Sequence, residues 1–182
     1  MLYRKIEKDI EGYLRAEDDR IMILEGARQI GKSFIIREVG KKLYDNFIEI
    51  NFAEDDEGPK IFKGIGTTEG FYFTLSSVYG EKLDRYENTL IFLDEIQHYP
   101  QYLTLLKFFR EDRRFRFIAS GSLLGITLRE TTSIPVGSII RKNMYQLDFE
   151  EFLIANGFGQ EALNTLRTKL MNRESLNESL HD

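Results

Sequence analysis

The chain has 182 residues, 42% of them hydrophobic, with a net charge of −5 and no cysteine. That is one domain's length with enough apolar mass for a packed core, and it excludes disulfides, Cys-ligated zinc and a thiol nucleophile. Two histidines, His98 and His181, leave little material for a His-rich metal site or a Ser-His-Asp triad, and the acidic balance argues against indiscriminate coating of DNA.

Taken in order, Ile6, Ile10, Tyr13 and Leu14 recur at helical spacing, so residues 2–16 read as an amphipathic helix, the core of a leading segment 1–18. No signal-peptide h-region and no membrane-length apolar run occur, so the expected compartment is the cytoplasm, with no membrane partner. Residues 21–24 (IMIL) form a short apolar run, as in a strand buried on both faces. A glycine-containing loop leads into a helix over 32–43. Residues 47–52 (FIEINF) alternate like a strand. Residues 54–58 read as an acidic loop, and Pro59 suits the first turn of a short helix. A helix follows over 67–79, capped by Thr67 or Thr68, then an apolar strand over 89–93 that ends in Asp94-Glu95. Residues 100–110 read as a helix, 115–119 as a strand, 121–132 as a loop with some helix, and 139–147 as the last strand. Asp148 caps a helix through Ala155 that Gly157 stops, and a tail over 158–182 begins helical and turns polar. Strands alternating with helices predict an α/β fold of three layers, a mainly parallel sheet flanked by helices.

Residues 26–33 (GARQIGKS) meet G-x-x-x-x-G-K-[ST] at every fixed position, between an apolar strand and a helix. Gly26 and Gly31 permit backbone geometries that a Cβ would block. The amides of Ala27, Arg28, Gln29, Ile30 and the first helical residues through Phe34 can then turn inward around a phosphate at the helix's positive end. Lys32 brings a point charge to the β- and γ-phosphates of ATP, and Ser33 a hydroxyl ligand to Mg²⁺. Downstream, the strand over 90–93 delivers Asp94 to its C-terminal end, where it can hold Mg²⁺; Glu95 would polarise the attacking water. After a further strand, Ser120 and Ser122 can contact the γ-phosphate or that water, a sensor role, or serve as an ordinary cap or turn. Arg129 and Arg141 are candidates for a charge-stabilising arginine, set against the plainer reading of surface ion pairs. His98 is expected to pack beside Tyr99. The run Arg110, Arg113, Arg114 and Arg116, with Glu111 and Asp112 among them, reads as a solvated helix end as well as it reads as a nucleic-acid contact.

With these elements in place, the chain resembles the prokaryotic AAA-like P-loop ATPases whose ATPase domain precedes a C-terminal domain of unknown function. The resemblance rests on GARQIGKS (26–33), EINFAED (49–55), TLIFLDEIQ (89–97), LKFFRED (106–112), ASGSLLG (119–125), SIPVG (133–137) and MYQLDFEEFLIANG (144–157). It implies an ATP-binding domain over 1–157 and a sensor at the Ser120-Gly121-Ser122 turn. It also implies a sheet in which the Asp94 strand lies near the phosphate-loop strand and away from the strand over 47–52. The family's basic residue after the PVG glycine is here Ser138, which weakens any phosphate-sensing role there. The sequence given stops where the C-terminal domain would begin. A partner, or self-association, is expected through that missing region, and turnover without it is expected to be slow.

The expected function is ATP binding with Mg-dependent hydrolysis coupled to a partner. One alternative is a nucleotide-gated switch or scaffold with little turnover; Glu95 favours the ATPase, because a pure binder needs no water-activating carboxylate. A second is a P-loop small-molecule kinase, for which no arginine-rich lid is evident. GTP specificity is disfavoured, since no N-K-x-D segment occurs.

Overall fold

A computed structural model describes residues 2–83, 88–122 and 137–173 of the chain. The backbone divides into two compact units, Lys8–Tyr145, and Met1–Glu7 together with Gln146–Asp182.

The larger unit is built on five parallel strands: β1 Ile21–Glu25, β2 Asn46–Asn51, β3 Thr89–Asp94, β4 Arg116–Gly121 and β5 Ile139–Asn143. Their spatial order is β2-β3-β4-β1-β5. β1 and β3 are buried along their whole length, as their continuous apolar runs require. The alternating β2 lies on one edge and buries only alternate residues. β5, paired with β1 on one side, forms the other edge, where Arg141 and Lys142 put charge on the strand.

One face of the sheet (Ile21, Ile23, Ile48, Ile50, Ile91, Leu93, Phe117 and Ala119) shares a core with α3 Phe52–Glu57, α4 Thr68–Leu83 and α5 Gln101–Asp112. Aromatic rings dominate there; Phe109 and Phe117 stack with centroids 4.6 Å apart, and Phe71 lies 4.7 Å from Phe109. Against the other face runs α2 Lys32–Leu43, so close that a Cβ on Gly40 would come within 2.5 Å of the Phe47 ring. α1 Ile6–Arg15 is tied to this side by the Lys42–Glu11 ion pair at 2.5 Å and by the Tyr44 hydroxyl, which donates to the Leu14 carbonyl at 3.2 Å. The three-layer α/β architecture expected from the sequence is present.

Several local expectations are corrected. Residues 54–58 are not a loop: Asn51 ends β2 by accepting the Ala53 and Glu54 amides and so opens α3, whose acidic first turn suits a helix N-terminus. Asp55 turns inward and accepts the Ile61 and Phe62 amides at 2.7 and 2.9 Å. Pro59 starts no helix, because the next residue, Lys60, takes φ 56° and the chain turns instead. β5 stops at Asn143 rather than reaching Leu147, since its partner β1 ends at Glu25, where the chain leaves the sheet. The Asp94 strand is not beside the phosphate-loop strand: β4 lies between them, and β3 pairs with β2 along its full length. Strand order is a property of the crossovers, which the residues of a single strand do not encode. The predicted loop over 121–132 lies, apart from Gly121 and Ser122, outside the described residues.

In the smaller unit, α6 Phe149–Ala155 opens with a reciprocal capping box: Asp148 accepts the Glu151 amide at 2.8 Å, and Glu151 accepts the Asp148 amide at 3.1 Å. Gly157, at φ 89°, ends it, and α7 Gln160–Asn172 follows.

Candidate active site

The C-terminal ends of β1, β3 and β4 bring most of the expected residues together. β1 leads into the glycine loop. There a Cβ on Gly26 would sit 2.3 Å from the Met144 carbonyl oxygen, so only glycine fits beneath the end of β5. Gly31 closes the loop at φ 95°, a left-handed geometry that glycine adopts without strain, and α2 begins at the next residue. Ala27, Arg28 and Gln29 are exposed and Ile30 is half-buried, so this stretch of the loop lies at the surface. The Phe34 ring is half exposed on the first turn of α2.

Lys32 is only 4% exposed, yet it carries an ammonium. That group donates to the Gly26 and Ala27 carbonyl oxygens at 3.1 and 2.7 Å, folding the side chain back over its own loop. Burial holds its pKa below the ordinary lysine value, while Glu95 and Asp94 pull it back up. Asp94, 2% exposed, closes β3. Its Oδ1 accepts from the Ser33 hydroxyl at 2.9 Å, from the Glu95 amide at 3.1 Å and from the Ser120 hydroxyl. Burial raises its pKa, against the hydrogen bonds from Ser120 and Ser33.

Glu95 takes φ 52°, ψ 46°, a left-handed conformation that is uncommon and strained for a residue with a side chain. The kink starts a 3₁₀ turn over Ile96–His98, anchored by the fully buried Ile96. It brings the Glu95 carboxylate to Gln97, whose amide donates to Oε2, and to the Ser122 hydroxyl at 3.4 Å. In the sequence Gln97 is marked only as the last residue of the TLIFLDEIQ segment, with no role attached. The turn that brings it to Glu95 is a backbone feature, visible only in three dimensions.

The inserted strand β4 accounts for where the serines sit. Leu24 of β1 pairs with Ser120, and Leu93 of β3 with Ala119, so the end of β4 lies between the glycine loop and Asp94. Ser120 and Ser122 are both buried. Other candidates lie elsewhere. Arg141 is bonded through both Nε and Nη2 to Glu25, the ion-pair reading rather than a free arginine; Arg129 is outside the described residues. His98 stands 3.7 Å from Asp56. Arg110 and Arg113 both pair with Asp19, and the Arg116 guanidinium lies over the Tyr13 ring. The arginine run is thus largely spent within the protein.

The oxygens on hand suit a hard cation. Two adjacent oxygens on an octahedral Mg²⁺ with bonds of about 2.05 Å stand about 2.9 Å apart. Ser33 Oγ and Asp94 Oδ1 already have that separation. Among the described residues no cluster of three or more His, Asp or Glu side chains could hold a metal unaided.

A parallel sheet whose first strand ends in a glycine loop opening a helix, with a buried acid at the end of another strand, defines the P-loop nucleotide-binding class. Residues 18–153, most of the chain, match the AAA domain family, and the chain belongs to that family of nucleotide-binding ATPases. The crystal structure of Pif1 helicase from Candida albicans is similar at 13% identity and a TM-score of 0.47, over 84% of this chain and 42% of that one. This chain therefore spans less than half of that helicase chain. No curated protein sequence matches. Among the described residues, no helix is long and apolar enough to cross a membrane.

Proposed function

We propose that this domain binds ATP with Mg²⁺ at the C-terminal ends of β1, β3 and β4 and hydrolyses it, in the service of a partner it acts on or assembles with. The observation that carries the reading is the meeting of Ser33, Asp94 and Glu95 beside the glycine loop and Lys32. In this proposal the loop amides from Ala27 through Phe34 take the phosphate oxygens at the positive end of α2. The Lys32 ammonium exchanges the Gly26 and Ala27 carbonyls for β- and γ-phosphate oxygens. Ser33 and Asp94 would hold Mg²⁺, which when bound would neutralise charge on the phosphates. Glu95 accepts a proton from water as that water's oxygen bonds to the γ-phosphorus; the bond to the β,γ-bridging oxygen breaks, leaving ADP and phosphate. Ser120 acts on Asp94, to which it already donates, and Ser122 acts on the Glu95 side.

A steady-state phosphate-release assay on Glu95→Gln tests this. That change keeps the shape and removes the charge, so turnover should fall by ~10²–10⁴ while Mg-ATP still binds. Turnover at the parental rate would overturn the assignment of Glu95 as the base.

A further inference from the structure

We infer that Gln97 is a positioning residue for hydrolysis: its side-chain amide clamps the Glu95 carboxylate to the end of β4 at Ser122. The inference rests on the proposed role of Glu95 in activating water. Its ground is a closed ring of hydrogen bonds. The Ser122 amide donates to Gln97 Oε1 at 3.2 Å; Gln97 Nε2 donates to the Ser122 hydroxyl at 3.1 Å and to Glu95 Oε2; and Ser122 Oγ lies 3.4 Å from the same Oε2.

The ring dictates which way the amide faces. A backbone N–H can only donate, so the Gln97 atom opposite the Ser122 amide must be the oxygen. The NH₂ group is then forced towards Glu95, where an acceptor-only carboxylate receives it. No rotation of the amide satisfies both neighbours in the other sense. The frame around it is fixed as well. Ser122 is buried, Ile96 fully so, and the His98 amide closes the 3₁₀ turn on the Glu95 carbonyl at 3.0 Å. The left-handed backbone at Glu95 is strained for a residue with a side chain and persists only where the surroundings over-determine it. Gln97 is one of the groups that do so.

Two consequences follow. One carboxylate oxygen of Glu95, Oε2, is committed to the clamp, which leaves Oε1 to take the proton of the proposed attacking water. In addition, the carboxylate is tied to the segment that carries Ser122, through Gln97 and through the Ser122 hydroxyl, so any shift there is passed to Glu95. Orientation of a catalytic group to within about 1 Å is worth up to ~10² in rate. Gln97→Leu, which loses every bond of the ring except the one from the Ser122 hydroxyl to Glu95, should lower kcat by about 10–100-fold and leave the KM for Mg-ATP unchanged. Gln97→Glu preserves volume and can still accept the Ser122 amide, but it sets a second carboxylate against Glu95, so it should be at least as slow. It is the variant to use if Gln97→Leu does not fold.

The deciding measurement repeats both substitutions in a Glu95→Gln background, with single-turnover phosphate release on the full chain. If Gln97 acts through the Glu95 carboxylate, its loss costs nothing further once that carboxylate is gone. A fall by the same factor in both backgrounds would show a merely structural role and overturn the inference, as would an unchanged kcat in the single variants. The Glu95→Gln single variant is read separately. Parental turnover there sinks the assignment of Glu95 itself, whatever Gln97 does.

Discussion

Lys32 and Asp94 are both buried ionisable groups, and each is shifted towards its neutral form by that burial. The sign of each shift makes a prediction. Asp94 has its folded pKa raised above the ordinary carboxylate value, so the folded state holds this proton more tightly than the unfolded chain does. Stability then falls as pH rises from the ordinary carboxylate pKa through the raised one. Asp94→Asn removes that cost while an amide can still bond Ser33 and Ser120. The nucleotide-free variant should therefore melt above the parent at pH 7, the difference closing below about pH 4, where the parental carboxyl is protonated in both states. The same variant should lose the Mg²⁺ dependence of nucleotide binding. A lower melting point at pH 7 would show that the carboxylate is net stabilising. Lys32 follows the mirrored logic: its lowered pKa means the ammonium costs stability at neutral pH, and the cost disappears as pH rises towards the ordinary lysine value. Lys32→Ala should leave the nucleotide-free protein folded and abolish most of its stabilisation by Mg-ATP.

Among the elements, those with strong local chemistry were legible in the sequence. The continuous apolar runs of β1 and β3, the glycine loop opening α2 and the Asp148 cap of α6 all lie where their patterns put them. The misreadings share a cause. Residues 54–58 looked like a loop because they are acidic, but a single side chain, Asn51, turns that acidity into a favourable helix start. The neighbour of the Asp94 strand depends on crossover connections, and the Glu95–Gln97 contact on one left-handed residue; neither leaves a periodic trace. The glycine loop and the Asp94-Glu95 pair thus lie at the strand ends where their patterns put them, whereas the ring that holds Glu95 leaves no such pattern. The cap of α6 is testable alone. Glu151 is buried and accepts from the Asp148 amide, from the Lys5 amide at 2.7 Å and from Arg4 Nε at 3.3 Å. Asp148→Ala should cost about 1 kcal/mol, as cap losses do, and Glu151→Ala more, since it removes the acceptor of the Asp148 and Lys5 amides and the Arg4 ion pair. Hydrogen exchange at the Lys5 and Asp148 amides reports it: faster exchange at both in Glu151→Ala is the expected result, and unchanged exchange would remove Glu151 from the cap.

For the molecule as a whole, every residue proposed to touch nucleotide or metal lies within the Lys8–Tyr145 unit, on elements joined by one sheet. A ligand that binds only the folded form adds RT ln(1 + [L]/Kd) to stability, about 2.7 kcal/mol at one hundred times Kd. For a chain of this size each kcal/mol raises the melting point by about 2–4 °C, so saturating Mg-ATP should raise it by roughly 5–11 °C. Each further tenfold in nucleotide should add about 1.4 kcal/mol, giving a midpoint that climbs with the logarithm of concentration and does not level off at saturation. Chelating Mg²⁺ should shrink the shift, because Ser33 and Asp94 then face the phosphates without the cation between them. Hydrogen exchange should slow most at the ends of β1, β3 and β4 and in the first turn of α2. A midpoint that stays flat across two decades of Mg-ATP would mean that the folded protein does not bind the nucleotide here, and the proposed site would fall with it.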